Sequence, residues 1–146
     1  MGKDVTVCIR GVQSVAGSPE NEAGDSIELV VPGTYSVRDG LEIVEYDEIF
    51  EGFESMPTRN RVEIREGSLE VHKAGAVNVD MAFMPGKRHQ AHYAVPFGVI
   101  EMEIVTESVD IRRKEDEIRI RTEYALAMGG EAAADCILDM RVELGL

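Results

Sequence analysis

The chain has 146 residues, 44% hydrophobic and 29% charged, with 28 acidic against 15 basic side chains and a formal net charge of −13. That balance fits a soluble globular domain and sets aside low-complexity, collagen-like and nucleic-acid-binding chains, because phosphate contacts draw on Lys and Arg. No apolar run approaches the roughly 18 to 20 residues of a membrane helix.

The elements follow in order. Val5, Val7 and Ile9 alternate with Thr6, Cys8 and Arg10, which predicts a first strand reaching about Ser14. This start shows no hydrophobic signal region, so a cytoplasmic location and no membrane association are expected. Ala16 to Asp25 is rich in Gly, Ser, Pro, Asn and Glu and reads as a loop. Ile27, Leu29 and Val31 resume the alternation, and Pro32-Gly33 is expected to interrupt and bend it. Asp39-Gly40 is the strongest hairpin signal, since a type I′ turn needs positive φ at both central residues. In the returning strand, Leu41 and Ile43 share one parity, Val44 and Tyr46 the other, as for a bulge or a strand covered on both faces. Ile49 to Met56 reads as a loop or a single helical turn.

Val62 and Ile64 predict the next strand, and Glu66-Gly67 turns into Leu69 and Val71. From Leu69 to Thr106, four short segments alternate apolar and polar residues between Gly and Pro punctuation: consecutive antiparallel strands with one wet and one dry face. Val109 and Ile111 prolong the last of these with a change of parity. After Lys114-Glu-Asp116, a long one-faced strand runs from Ile118 to Met128 and ends at Gly129-Gly130. Cys136, Leu138, Met140, Val142 and Leu144 form the final one. Nine or ten strands joined by short turns predict an all-β fold, a single domain over residues 1–146. Its expected form is an antiparallel up-and-down β-barrel of about 8–10 strands, with a β-sandwich as the alternative. Val77, Val79, Met81, Phe83, Ile100, Met102, Ile104, Ile120, Leu138 and Met140 are expected to be buried together.

Taking the apolar parity as inward leaves polar residues facing in. They are Tyr35, Tyr46 with Glu48, Asn60, Lys73, Tyr93, Thr106, Thr122 and Tyr124. Lys73 is the oddest, because it continues the inward row of Leu69 and Val71, and an ammonium taken out of water needs a partner. Glu48 is the carboxylate on a matching parity. The candidate ligand-binding set is therefore Tyr35, Tyr46, Glu48, Lys73, Tyr93 and Thr106. Cys8 and Cys136 read as half-buried free thiols without nearby metal-ligating partners. Lys87-Arg-His-Gln-Ala-His92 reads as a solvated hairpin end, with His89 and His92 on opposite faces of a strand and His72 outward. No metal site, cofactor or catalytic constellation is expected.

Gly33-Thr-Tyr35, Tyr46-Asp-Glu48, Lys73-Ala-Gly75, Phe83, Gly86, Tyr93, Phe97-Gly98, Thr106 and Ile118-Arg-Ile120 with Tyr124 stand in an order that resembles the YwiB-type bacterial domain family. The resemblance spans nearly the whole chain and implies a calycin-like (lipocalin-like) barrel. It implies no reaction, since that family has no established activity. Where the family usually has Arg, this chain has Lys73, which loses the planar two-pronged contact to an anion. The expected function is thus a non-catalytic barrel that holds a small, partly apolar, anionic ligand. The alternative is a protein–protein interaction module with a filled core, meeting a protein partner or a second copy of itself.

Overall fold

The computed structural model describes residues 2–15 and 25–145. Its strands are β1 (Lys3–Val15), β2 (Asp25–Arg38), β3 (Leu41–Glu48), β4 (Thr58–Ile64), β5 (Leu69–Ala74), β6 (Val79–Phe83), β7 (Arg88–Val95), β8 (Gly98–Arg113), β9 (Glu117–Met128) and β10 (Glu131–Glu143). No helix occurs among the described residues, so none is long and apolar enough to cross a membrane. The loop expected at Ala16 to Asp25 falls on residues outside the description, except that Asp25 opens β2.

Every strand but the pair β6 and β7 is laddered antiparallel to its sequence neighbours, and β1 also pairs with β10, giving the order β6-β5-β4-β3-β2-β1-β10-β9-β8-β7. The two ends of that order meet at Asn78 and Ala94, which exchange N–H···O bonds of 2.9 Å in each direction. Past the other end of β6, the turn that follows it reaches β8, where Gly86 N–H donates to Thr106 O at 2.9 Å. The molecule is therefore an all-β, ten-stranded antiparallel barrel of up-and-down order, and not the alternative sandwich. Closure is nearly complete: only the facing edges of β6 and β7 lack a ladder among the described residues. The β6–β7 seam is its thinnest junction.

The turns follow their local chemistry. Asp39 and Gly40 have φ of 52° and 80°, the positive pair of the predicted two-residue turn. Gly129 and Gly130, at 60° and 83°, make a matching turn between β9 and β10. The Ile49–Met56 segment is a pair of tight turns, with Phe53 N–H on Phe50 O and Met56 N–H on Phe53 O.

Three expectations need correction. β2 runs without interruption through Pro32-Gly33, in register with β1 and, at Gly33, with Tyr46 of β3. A Cβ on Gly33 would lie 2.6 Å from Glu45 O and 2.9 Å from a methyl of Val7, so the glycine lets three strands approach closely. Ile100 is 42% exposed and outside the core, because β8 projects beyond the last β8–β9 pair at Met102 and Met128. The basic run Arg88 to His92 lies within β7, paired with β8, and is not a free hairpin end.

The two parity puzzles also resolve. Register slips by one residue between Thr106 and Ser108, so a bulge at Glu107 turns Val109 and Ile111 toward the interior. In β3 both Ile43 and Val44 are buried; Val44 joins the core, while Ile43 faces outward beside Ser36 and half-buried Glu63. The interior is filled by side chains from all around the wall. Phe83, Leu69, Ile104, Ile120, Val7, Val44, Val62 and Val142 are each under 2% exposed. Val77, Val79, Met102 and Met140 are buried with them, and Met81 and Leu138 pack on the cluster half-buried. Cys136 sits in this core with its thiol pKa pushed up by burial, whereas Cys8 is half-buried on the opposite face. An inward cavity of about 70 Å³ beside Gly11, Tyr124 and Leu138 has room for little more than water.

Candidate functional site

Strand order places one polar group at the barrel end from which the β3–β4, β5–β6 and β7–β8 connections leave. Gly33, Tyr46, Asn60, Lys73 and Val79 stand directly opposite one another across β2 to β6. The missing side chain at Gly33 lets Tyr46 pack close against β2, since a Cβ there would lie 3.3 Å from the Tyr46 Cβ. Because alternation in β5 runs Leu69, Val71, Lys73, the ammonium is carried inward and must be met there. It donates to Glu48 Oε1 at 2.9 Å and to Asn60 Oδ1 at 2.7 Å. Asn60, fully buried, returns its Nδ2 to Glu48 Oε1 and to Thr58 O, both at 3.3 Å. Thr58, also fully buried, accepts the Val77 N–H at 3.3 Å. Gly75 seals this end, since a Cβ there would lie 2.2 Å from Pro57 O.

The ion pair is sheltered but not sealed: the Lys73 side chain is 17% exposed and that of Glu48 21%. Two of the three ammonium hydrogens are committed, and Glu48 Oε2 accepts nothing among the described residues. Two phenols stand in the field of the same carboxylate. Burial, with a smaller contribution from Glu48, raises the pKa of Tyr46 well above its ordinary value and that of Tyr93 in the same direction. Neither phenol donates a hydrogen bond among the described residues. Chemically the group offers one ammonium hydrogen, one carboxylate oxygen and two neutral phenol donors. It can hold a polar head group, and it contains no nucleophile–base pair.

Four of the six predicted site residues thus come together: Tyr46, Glu48, Lys73 and Tyr93. Two do not. Tyr35 lies at the other end of the barrel, where its hydroxyl donates to Glu42 at 2.8 Å and Arg113 also pairs with Glu42. Burial and that bond push the Tyr35 pKa up to about 12. Thr106 is buried opposite Tyr124, whose ring meets Phe83 edge-on at 4.9 Å, and the Thr106 hydroxyl has no partner among the described residues. Parity put both residues on the inward face correctly, but parity carries no information about depth along the axis. Asn60, read as inward but left out of the six, completes the group, because strand register sets it between Tyr46 and Lys73.

Outside the barrel, Glu63, Glu70 and His72 each bring one potential ligand atom within 4.8 Å of the others. Arg61 and Arg65 already pair with Glu63, Arg65 with Glu70, and Asp80 with His72 Nδ1 at 2.7 Å. This is an ion-paired patch of the outer surface. His89 and His92 meet different neighbours, Asp80 O and Glu101, and share no site.

Comparison with known proteins adds a family. Residues 10–140 match the family model described as a domain of unknown function, DUF1934. The chain belongs to this family. It is 28% identical over 120 residues to the uncharacterized beta-barrel protein YwiB of Bacillus subtilis strain 168, covering 82% of this chain and 81% of that protein. The crystal structure of the ywiB protein from Bacillus subtilis superposes with a TM-score of 0.84 at 23% identity, over 99% of this chain and 94% of that one. At that identity the likeness concerns the fold, which both share.

Proposed function

We propose that this DUF1934 barrel is a non-catalytic binding protein that takes a small, partly apolar, anionic ligand at the Lys73 end. The observation that supports it is the sheltered Lys73–Glu48–Asn60 group with a spare ammonium hydrogen and two unpaired phenols beside it. A buried ion pair contributes little net stability compared with apolar packing, so such a group serves recognition better than it serves folding. The filled interior limits where an apolar tail can go. It lies over the rim, where the connections at this end expose Ile49, Met56 and Phe97, the last at 83%.

Titration with hexanoate and phenylacetate, followed by tyrosine fluorescence, tests this reading in a chain that lacks Trp. Saturable quenching that disappears in Lys73→Met and weakens in Tyr93→Phe is expected. No saturable change at millimolar ligand, or an unchanged response in both variants, would remove the proposal.

The second reading is the interaction module. It is favoured by the filled core and by the projecting β7–β8 hairpin, where Phe97, Val99 and Ile100 are exposed. A concentration-dependent dimer in sedimentation that Phe97→Ser abolishes would favour it over the ligand.

A further inference from the structure

We infer that the outer face of β2, β1, β10, β9 and β8 carries a second site, a groove that binds a small phosphorylated ligand through a ladder of three arginines. The face carries a shallow, open groove there of about 680 Å³. Across it, Val30, Cys8, Arg141, Arg119 and Arg112 stand directly opposite one another. Three consecutive cross-strand arginines are unexpected, because like charges directly opposite are destabilising. They are more so in a chain with 28 acids and 15 bases.

The neighbouring row shows what this sheet does when charge pairing alone decides. Glu28, Arg10, Asp139, Arg121 and Asp110 alternate in sign across the same five strands. The arginine row breaks that rule. Each of its members instead turns toward a carboxylate two residues along its own strand. Arg112 donates through Nε to Asp110 at 3.1 Å, and Arg119 through Nε to Glu117 at 2.6 Å. Arg141 places Nη2 3.0 Å from Glu143 and 3.6 Å from Cys8 Sγ, and its buried Nε has no partner among the described residues. The Nη groups of Arg112 and Arg119 donate to nothing among the described residues.

A row of this kind has a direction and a length. Neighbouring strands are about 4.8 Å apart, so three guanidinium groups span about 10 Å across the strands. That suits a chain of two or three phosphoryl groups, each met by a planar fork of donors. A single carboxylate would engage one rung. The ladder ends at Cys8 and at Val30, which is 68% exposed, so the uncharged part of the ligand rests there. The acids on both sides confine the positive strip to one row, which favours a small ligand over a nucleic-acid backbone.

Isothermal titration with sodium tripolyphosphate at about 50 mM salt, where exposed charges are weakly screened, tests the inference. One saturable site is expected, with inorganic monophosphate binding at least about tenfold more weakly, as losing a charge-assisted contact implies. Arg119→Gln should weaken tripolyphosphate about tenfold or more. Arg112→Gln, at a position with its side chain 74% exposed, serves if the first variant does not fold. Arg59→Gln, on β4 outside the groove, should bind as the parent does. Lys73→Met should also leave this binding intact, which separates the groove from the barrel-end site. No saturable site, equal binding of monophosphate, or equal losses in the Arg59 and Arg119 variants would overturn the ladder.

Discussion

Replacing Lys73 by Met and Glu48 by Gln, singly and together, measures how tightly the barrel-end group is coupled. Exposed ion pairs contribute about 0–1 kcal/mol, whereas removing one partner of a fully buried pair costs about 3–5 kcal/mol. With side chains 17% and 21% exposed, this pair lies between those limits. Lys73→Met leaves Glu48 with only the 3.3 Å bond from Asn60 and strips Asn60 Oδ1 of its 2.7 Å donor, in a residue with no solvent access. A cost of about 2 kcal/mol is expected, partly offset because Met keeps the apolar stem. Glu48→Gln should cost about the same. The double variant should also cost about 2 kcal/mol, so the coupling is about 1.5–2 kcal/mol of opposite sign. Urea denaturation monitored by circular dichroism gives all four stabilities. Additive single effects, within about 0.4 kcal/mol, would refute the coupled group.

All four tyrosines have raised pKa values, Tyr35 near 12, each mainly through burial. A phenol raised in the folded state holds its proton there after the unfolded chain, near pH 10, has lost it, so stability is full below pH 10 and falls as pH rises toward 12. Absorbance at 295 nm should show little tyrosinate in the folded protein at pH 10.5 and much of it in guanidinium; ordinary titration of the folded protein near pH 10 would contradict this. Gly75→Ala should cost about 3 kcal/mol or more, since φ is 147° and the new methyl would meet Pro57 O at 2.2 Å; an unchanged melting temperature would refute that contact. Thr122→Val should be neutral or stabilising by about 1 kcal/mol, because its buried hydroxyl is unpartnered among the described residues, and a clear loss of stability would show that the hydroxyl is bonded.

Local signals in the sequence carried most of the fold. Asp39-Gly40 set a turn, strict alternation set which side chains face in, and the parity changes near Val44 and Val109 marked a doubly covered strand and a bulge. What stayed hidden depends on partners. Gly33 looked like a break, because its close neighbours Glu45 and Val7 are identified only by pairing. Ile100 looked like core, because nothing local says that β9 ends before it. Lys73 and Glu48 were matched across 25 residues by parity and charge alone, whereas Tyr35 and Thr106 share that parity and stand elsewhere along the barrel. The arginine row was invisible for the same reason: Arg112, Arg119 and Arg141 become neighbours only once three strands are in register.

Native mass spectrometry of freshly purified protein, parent and Lys73→Met side by side, tests the central claim most directly. A small molecule retained by the parent and lost from the variant, while both remain folded, is the expected result. A parent that carries no small molecule under gentle desolvation and gains none from a cell extract, or a variant that retains the same mass, would contradict it.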